Sequence, residues 1–138
     1  MNKKIFIASD HAGYEMKTKL NKYFNSFIDL GTNSFESVDY PDFAHKLSIE
    51  VLKNEGSFGI LICGTGVGMS IAANKLKGIR AGLVNSVEVA RLIRQHNDAN
   101  VLVIPGRFMK VEEAKNCVQT FIDTQFEAGR HKKRVEKI

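Results

Sequence analysis

The 138-residue chain has two cysteines and two prolines, and no apolar run longer than four to six residues. Each scarcity excludes something. A membrane helix needs roughly 20 apolar residues, so no span is expected. Cys63 and Cys117 stand far apart, without a CxxC pair or zinc-ligand spacing, so two reduced thiols are expected rather than a disulfide framework or a metal knuckle. No repeat, low-complexity stretch or linker divides the chain, and residues 1–138 are read as one domain with a basic C-terminal tail at about 129–138. The start resembles a leader only briefly. Its apolar stretch, Ile5-Phe6-Ile7-Ala8, is too short and is followed at once by Asp10 and His11, so it is read as the first strand of a cytoplasmic protein.

Net charge is scarce outside one place. Of the formal +5, the segment 130–138 carries +4, with Arg130, Lys132, Lys133, Arg134 and Lys137 against Glu136. A basic tail without an aromatic-rich recognition module argues against nucleic-acid binding. At 43% hydrophobic and 25% charged residues, the chain as a whole has the composition of an ordinary globular protein.

Short apolar runs alternate with helical patterns. Ile5–Ala8, Phe27–Leu30, Phe58–Ile62, Ile79–Val84 and Val101–Ile104 read as strands covered on both faces. Between them, Met16, Leu20, Tyr23, Phe24 and Phe27 keep helical spacing, as do Ala44, Leu47 and Val51 after Pro41. A third helix is expected over Gly66–Leu76, a fourth capped by Ser86, and a fifth over about Val111–Phe126. The pattern predicts an α/β fold: a three-layer, Rossmann-like sandwich with a five-stranded parallel sheet. Ligands of such sheets bind beyond the carboxyl ends of the strands, which here carry Asp10-His11, Cys63-Gly64-Thr65, Asn85-Ser86 and Gly106-Arg107.

The stretch Cys63-Gly64-Thr65-Gly66-Val67-Gly68 joins a strand to a helix start. There, backbone N–H groups lack intrahelical partners and the helix dipole favours negative charge. Its glycine spacing fails the dinucleotide fingerprint, and no lysine follows as a Walker loop requires. A G-x-S-x-G elbow and a metal-hydrolase set of carboxylates are missing too. What remains is a site for a small oxyanion or enediolate. Cys63 is open to two readings: a small buried apolar residue, or a nucleophile or base whose thiolate the helix entrance favours. His96, at a helix end, is either a cap or a functional group, and His45 and His131 read as peripheral. Arg130 and Arg134, four apart, would share a face if the tail is helical and could grip a phosphate.

Taken together, Ser9-Asp10-His11-Ala12-Gly13, Ser37-Val38-Asp39-Tyr40-Pro41-Asp42, Cys63 to Ser70 with Ala72-Ala73-Asn74-Lys75, His96-Asn97-Asp98-Ala99-Asn100, and Gly129-Arg130-His131 with Arg134-Val135 resemble the RpiB/LacAB sugar-phosphate isomerase family nearly end to end. The resemblance implies interconversion of ribose 5-phosphate and ribulose 5-phosphate through a cis-enediolate, with no metal and no organic cofactor. It implies Cys63 as the base, Thr65 as the hydroxyl that helps move protons, and His96 as the group that opens the sugar ring. Gly64, Thr65, Gly66, Val67 and Gly68 match the oxyanion cradle. Asp10, Tyr40 and Asn97 match sugar contacts, and His11, Arg107, Arg130 and Arg134 match phosphate contacts. The family's other branch places a glutamate inside the glycine loop. Met69 stands there in this chain, which leaves Cys63 as the base. A homodimer or a dimer of dimers, with the site between subunits, is implied as well. The segments Val84-Asn85-Ser86-Val87 and Phe108-Met109-Lys110 depart from the usual family pattern. An allose or galactose 6-phosphate substrate, or sugar-phosphate binding without turnover, stays open as an alternative.

Overall fold

The structure, a computed structural model, describes residues 3–138; Met1 and Asn2, at the head of the leader-like start, lie outside the described residues. Strands β1 (Ile5–Ser9), β2 (Ile28–Asp29), β3 (Phe58–Cys63), β4 (Ala81–Leu83) and β5 (Val101–Pro105) form one sheet in the order β2-β1-β3-β5-β4, with every pairing parallel. Helices α1 (Tyr14–Tyr23), α2 (Tyr40–Lys53), α3 (Val67–Ala73), α4 (Val87–Gln95), α5 (Val111–Asp123) and α6 (Gly129–Val135) complete the chain. Among the described residues, no helix is long and apolar enough to cross a membrane.

The strand period of two assigns each apolar residue to a layer. Ile5, Ile7, Ile60, Ile62, Leu102 and Ile104 pack with Met16 and Leu20 of α1, Ala90 and Ile93 of α4, and Val118 and Phe121 of α5. Their neighbours Phe6, Ala8, Leu61, Cys63, Val101 and Val103 pack with Ala44, Leu47 and Val51 of α2 and Met69, Ala72 and Ala73 of α3. The three-layer α/β sandwich is therefore the one expected.

Several boundaries differ from the sequence expectation, each for a local reason. Helix α3 stops at Ala73 rather than Leu76: the Asn74 amide turns to the backbone of Ala81, accepting from its N–H (2.8 Å) and donating to its carbonyl (2.9 Å). Helix α5 ends at Asp123 rather than Phe126, and the carbonyl of the extended residue Thr124 accepts from Arg94 Nε (3.1 Å). Strand β2 is reduced to two exposed residues, with Asp29 serving side chains instead: its carboxylate takes the buried Lys17 ammonium at 2.6 Å and the Asn21 amide at 3.0 Å. The basic tail is the sixth helix.

The crossovers send β1 toward β2 on one side and β3 toward β4 on the other. The carboxyl ends of adjacent β1 and β3 thus flank the point where the winding direction reverses, where open α/β sheets bind ligands. Cys63 and Asp10 are the residues at that point.

Candidate active site

At the carboxyl edge the backbone sets each group. The N–H of Asp10 donates to the carbonyl of Ile62 at 3.2 Å, which pins the end of β1 to the end of β3. The buried Asp10 carboxylate then accepts from the N–H of Gly13 at 3.0 Å and caps the single 3-10 turn His11–Gly13. His11 Nδ1 accepts from the N–H of Val38 at 3.1 Å, which places the proton of its neutral ring on Nε2. The Cys63 thiol, 5% exposed, lies on the α2/α3 side among Ala8 and Met69.

The glycine loop follows directly. Gly66 adopts φ +78°, a left-handed conformation that glycine alone accepts without strain, and starts α3. Thr65 Oγ1 accepts from the N–H of Val67 at 3.2 Å, while no described residue accepts from the N–H groups of Thr65, Gly66 or Gly68. These are donors of the kind an oxyanion would meet. Two side chains close over the loop. The Tyr40 ring, from the first residue of α2, lies so near Gly68 that a Cβ there would sit 2.5 Å from it. Arg107 donates its N–H to the Gly64 carbonyl at 3.0 Å and lays its side chain across Gly64, 3.2 Å from where a Cβ would stand. Beside the loop opens a cavity of about 500 Å³ lined by Thr65, Leu83, Asn85, Pro105 and Phe108.

The remaining candidates are elsewhere. Helix α4 runs antiparallel to the strands and its nine residues carry the chain about 13 Å. His96 and Asn97, which follow it, therefore stand at the amino edge of the sheet, away from Cys63. There the N–H of Glu127 donates to the carbonyl of Gln95 at 3.1 Å, docking the segment before α6 on the end of α4. The His131 ring stacks on the His96 ring, centroids 4.3 Å apart and planes 16° apart. Arg130 and Arg134 lie on the same short helix, both exposed. Asn97 lines a separate cavity of about 280 Å³ with Asn74, Arg80 and Ile138.

The chain thus brings Asp10, His11, Tyr40, Cys63, the glycine loop and Arg107 together at one edge. It holds His96, Asn97, Arg130 and Arg134 at the other. The reading of His131 as peripheral is corrected: its ring is buried, and burial first, then His96 and Arg130, hold its pKa below the ordinary 6.5, with Glu127 acting the other way. Glu127 was missed altogether. The four-residue spacing of Glu127 and His131 is the available signal, but it straddles the start of the basic tail at about 129, so the sequence pattern assigns the two residues to different segments. Cys117, on α5, is buried away from this set, and burial followed by the Glu113 carboxylate pushes its thiol up from 9.0 to about 11.

Residues 5–138 match the profile of a family described as Ribose/Galactose Isomerase. A probable ribose-5-phosphate isomerase B of Mycoplasma pneumoniae is 50% identical, over 100% of this chain and 94% of its own. The crystal structure of a ribose 5-phosphate isomerase from Thermotoga maritima superimposes with a TM-score of 0.95 at 52% identity, covering 99% of this chain and 97% of that one. The Mycoplasma genitalium ribose-5-phosphate isomerase B, solved with bound ribulose-5-phosphate, has a TM-score of 0.95 at 45% identity, covering 99% and 94%.

Proposed function

Because the chain belongs to the ribose/galactose isomerase family, we propose that it interconverts D-ribose 5-phosphate and D-ribulose 5-phosphate, as a cytoplasmic step of the pentose phosphate pathway. One observation carries the reading: Cys63 ends a central strand at the winding reversal, beside a loop whose N–H groups at Thr65, Gly66 and Gly68 are not taken up by the described residues.

In this mechanism the Cys63 thiolate takes the proton from C2 of the open-chain aldose. The C2 electron pair forms the C1–C2 double bond, and the carbonyl pair moves to O1, giving a cis-enediolate. The N–H groups of the loop stabilise the oxyanion, a contribution of about 3–4 kcal/mol for one well-placed donor. Thr65 relays the hydroxyl proton between O2 and O1, and the Cys63 thiol returns its proton to C1 as the C2 carbonyl forms. Two protons move and no electrons leave the substrate, so the reaction calls for no redox carrier. Asp10, Tyr40 and Asn97 hold sugar hydroxyls, and His11, Arg107, Arg130 and Arg134 hold the phosphate.

His96 opens the furanose ring by proton exchange with the ring oxygen. Since His96 and Cys63 of one chain stand at opposite sheet edges, we propose that a site joins Cys63 of one chain to His96 of the partner subunit, in a homodimer or a dimer of dimers. Exposed Val67, Ile71, Leu83 and Phe108 around the glycine loop support a surface covered by a second copy.

The deciding assay is turnover of ribose 5-phosphate, with allose 6-phosphate and galactose 6-phosphate alongside. Ketose formed from ribose 5-phosphate alone is the expected result. Preference for a hexose phosphate would move the substrate, and no turnover of any would leave a sugar-phosphate-binding protein.

A further inference from the structure

Three donor groups that the isomerisation does not use as a set meet at the end of α4. One ligand atom each from His96, Glu127 and His131 lies within 4.8 Å of the other two. The backbone holds this arrangement. Glu127 is tied to Gln95 by its N–H, one residue from His96, and Arg94 Nε grips the carbonyl of Thr124 at 3.1 Å. Ala128, at φ 59°, then reverses the chain so that α6 begins and the His131 N–H returns to the Ala128 carbonyl at 2.9 Å. His131 Nε2 thereby lies 3.7 Å from Glu127 Oε1, with its ring on His96.

We infer that His96, Glu127 and His131 form an inhibitory binding site for a divalent transition ion of the zinc type. Two imidazole nitrogens and one carboxylate oxygen suit Zn²⁺, with a fourth position left for water, whereas Mg²⁺ and Ca²⁺ demand oxygen shells. Bond lengths of about 2.0–2.2 Å place tetrahedral donors about 3.4 Å apart. The three groups therefore need to close by about 1.5 Å at most. Glu127 already stands 3.7 Å from His131, so the closing falls to His96, whose partly exposed ring can turn out of its stack to aim a lone pair at a shared ion while the exposed Glu127 side chain follows. Arg130 and Arg134, on the same short helix, oppose a dication, and Glu127 offsets only part of that charge. The balance favours reversible occupancy over a permanent structural ion. An ion held by His96 occupies the lone pair that ring opening uses. The inhibition rests on the role proposed for His96; the binding does not.

The test uses the full chain with ZnCl₂ alone, binding followed by equilibrium dialysis and turnover followed in parallel. The wild type is expected to take one Zn²⁺ per chain and to lose turnover over the same concentrations, with recovery on chelation. Glu127→Gln is expected to keep its turnover in chelator, to bind about tenfold more weakly or worse, and to shift inhibition by the same factor. His131→Asn is expected to do likewise. Co²⁺ in place of zinc should show ligand-field bands without a thiolate charge-transfer band. Failure of stoichiometric binding, equal affinity in Glu127→Gln, or a thiolate band marking Cys63 as ligand would overturn the site. Binding without inhibition would overturn its inhibitory role. Absence of ribose 5-phosphate turnover would sink the isomerase reading while dialysis still decided the metal site.

Discussion

A methyl group at Gly13 would sit 2.5 Å from the Ile62 carbonyl oxygen, on the backbone of the strand that delivers Cys63. A strand backbone cannot yield as a side-chain tip can, so Gly13→Ala is expected to cost about 3 kcal/mol in denaturant unfolding. A variant as stable as the wild type would show that β3 gives way. The two thiols should also separate in behaviour. With its pKa at about 11 and its side chain buried, Cys117 is expected to resist iodoacetamide in the native protein at neutral pH, as read by peptide mass mapping. Cys63→Ala is expected to lower turnover by about 10²–10⁴-fold while phosphate binding persists. Unchanged turnover would remove Cys63 as the base. His131 carries a pH signature. Its folded pKa lies below 6.5, so as pH falls the unfolded chain takes the proton first. Its contribution to stability is complete above 6.5 and is lost as pH drops through the folded value. Melting temperature should therefore fall more steeply below that pH in the wild type than in His131→Asn.

At the scale of elements, α4 links the two halves of the candidate site: it leaves the carboxyl edge at Ser86 and delivers His96 to the amino edge. Ser86 Oγ accepts from the N–H of Val89 at 3.2 Å, the cap that the sequence pattern called for. Ser86→Ala is expected to cost about 1 kcal/mol, measured by thermal or denaturant unfolding, since one helix-end donor loses its acceptor. Helices with a clear apolar stripe and a capping residue were legible in this way. Ends governed by distant partners were not. Asn74 leaves its helix for Ala81, and Thr124 is held by Arg94, both through bonds between elements that local periodicity cannot register. Lys17 was invisible for the same reason, because its burial depends on Asp29 arriving from β2.

For the whole molecule, the proposed pairing of Cys63 with the partner subunit's His96 predicts a division of labour between copies. Cys63→Ala and His96→Asn chains are each expected to be inactive. Mixed in equal amounts and allowed to exchange subunits, they should recover roughly a quarter of wild-type turnover, because half of the pairs are mixed and one of their two sites is intact. No recovery, after exchange is verified by mass, would count against a site shared between subunits.

The sequence by itself determined the layers, because strand and helix periods are local and each apolar residue declares its face. It also determined the carboxyl-edge set, because strand ends and a glycine loop are contiguous features. Asp10, Cys63, the loop and Arg107 fell where the strand pattern put them. Only the tertiary structure decided the strand order, the length of α3 and α5, and the distance between His96 and Cys63. It alone turned the basic tail into a helix and laid His131 and Glu127 against His96. Those outcomes depend on hydrogen bonds and packing between segments remote in the chain, whose energies no window of sequence contains.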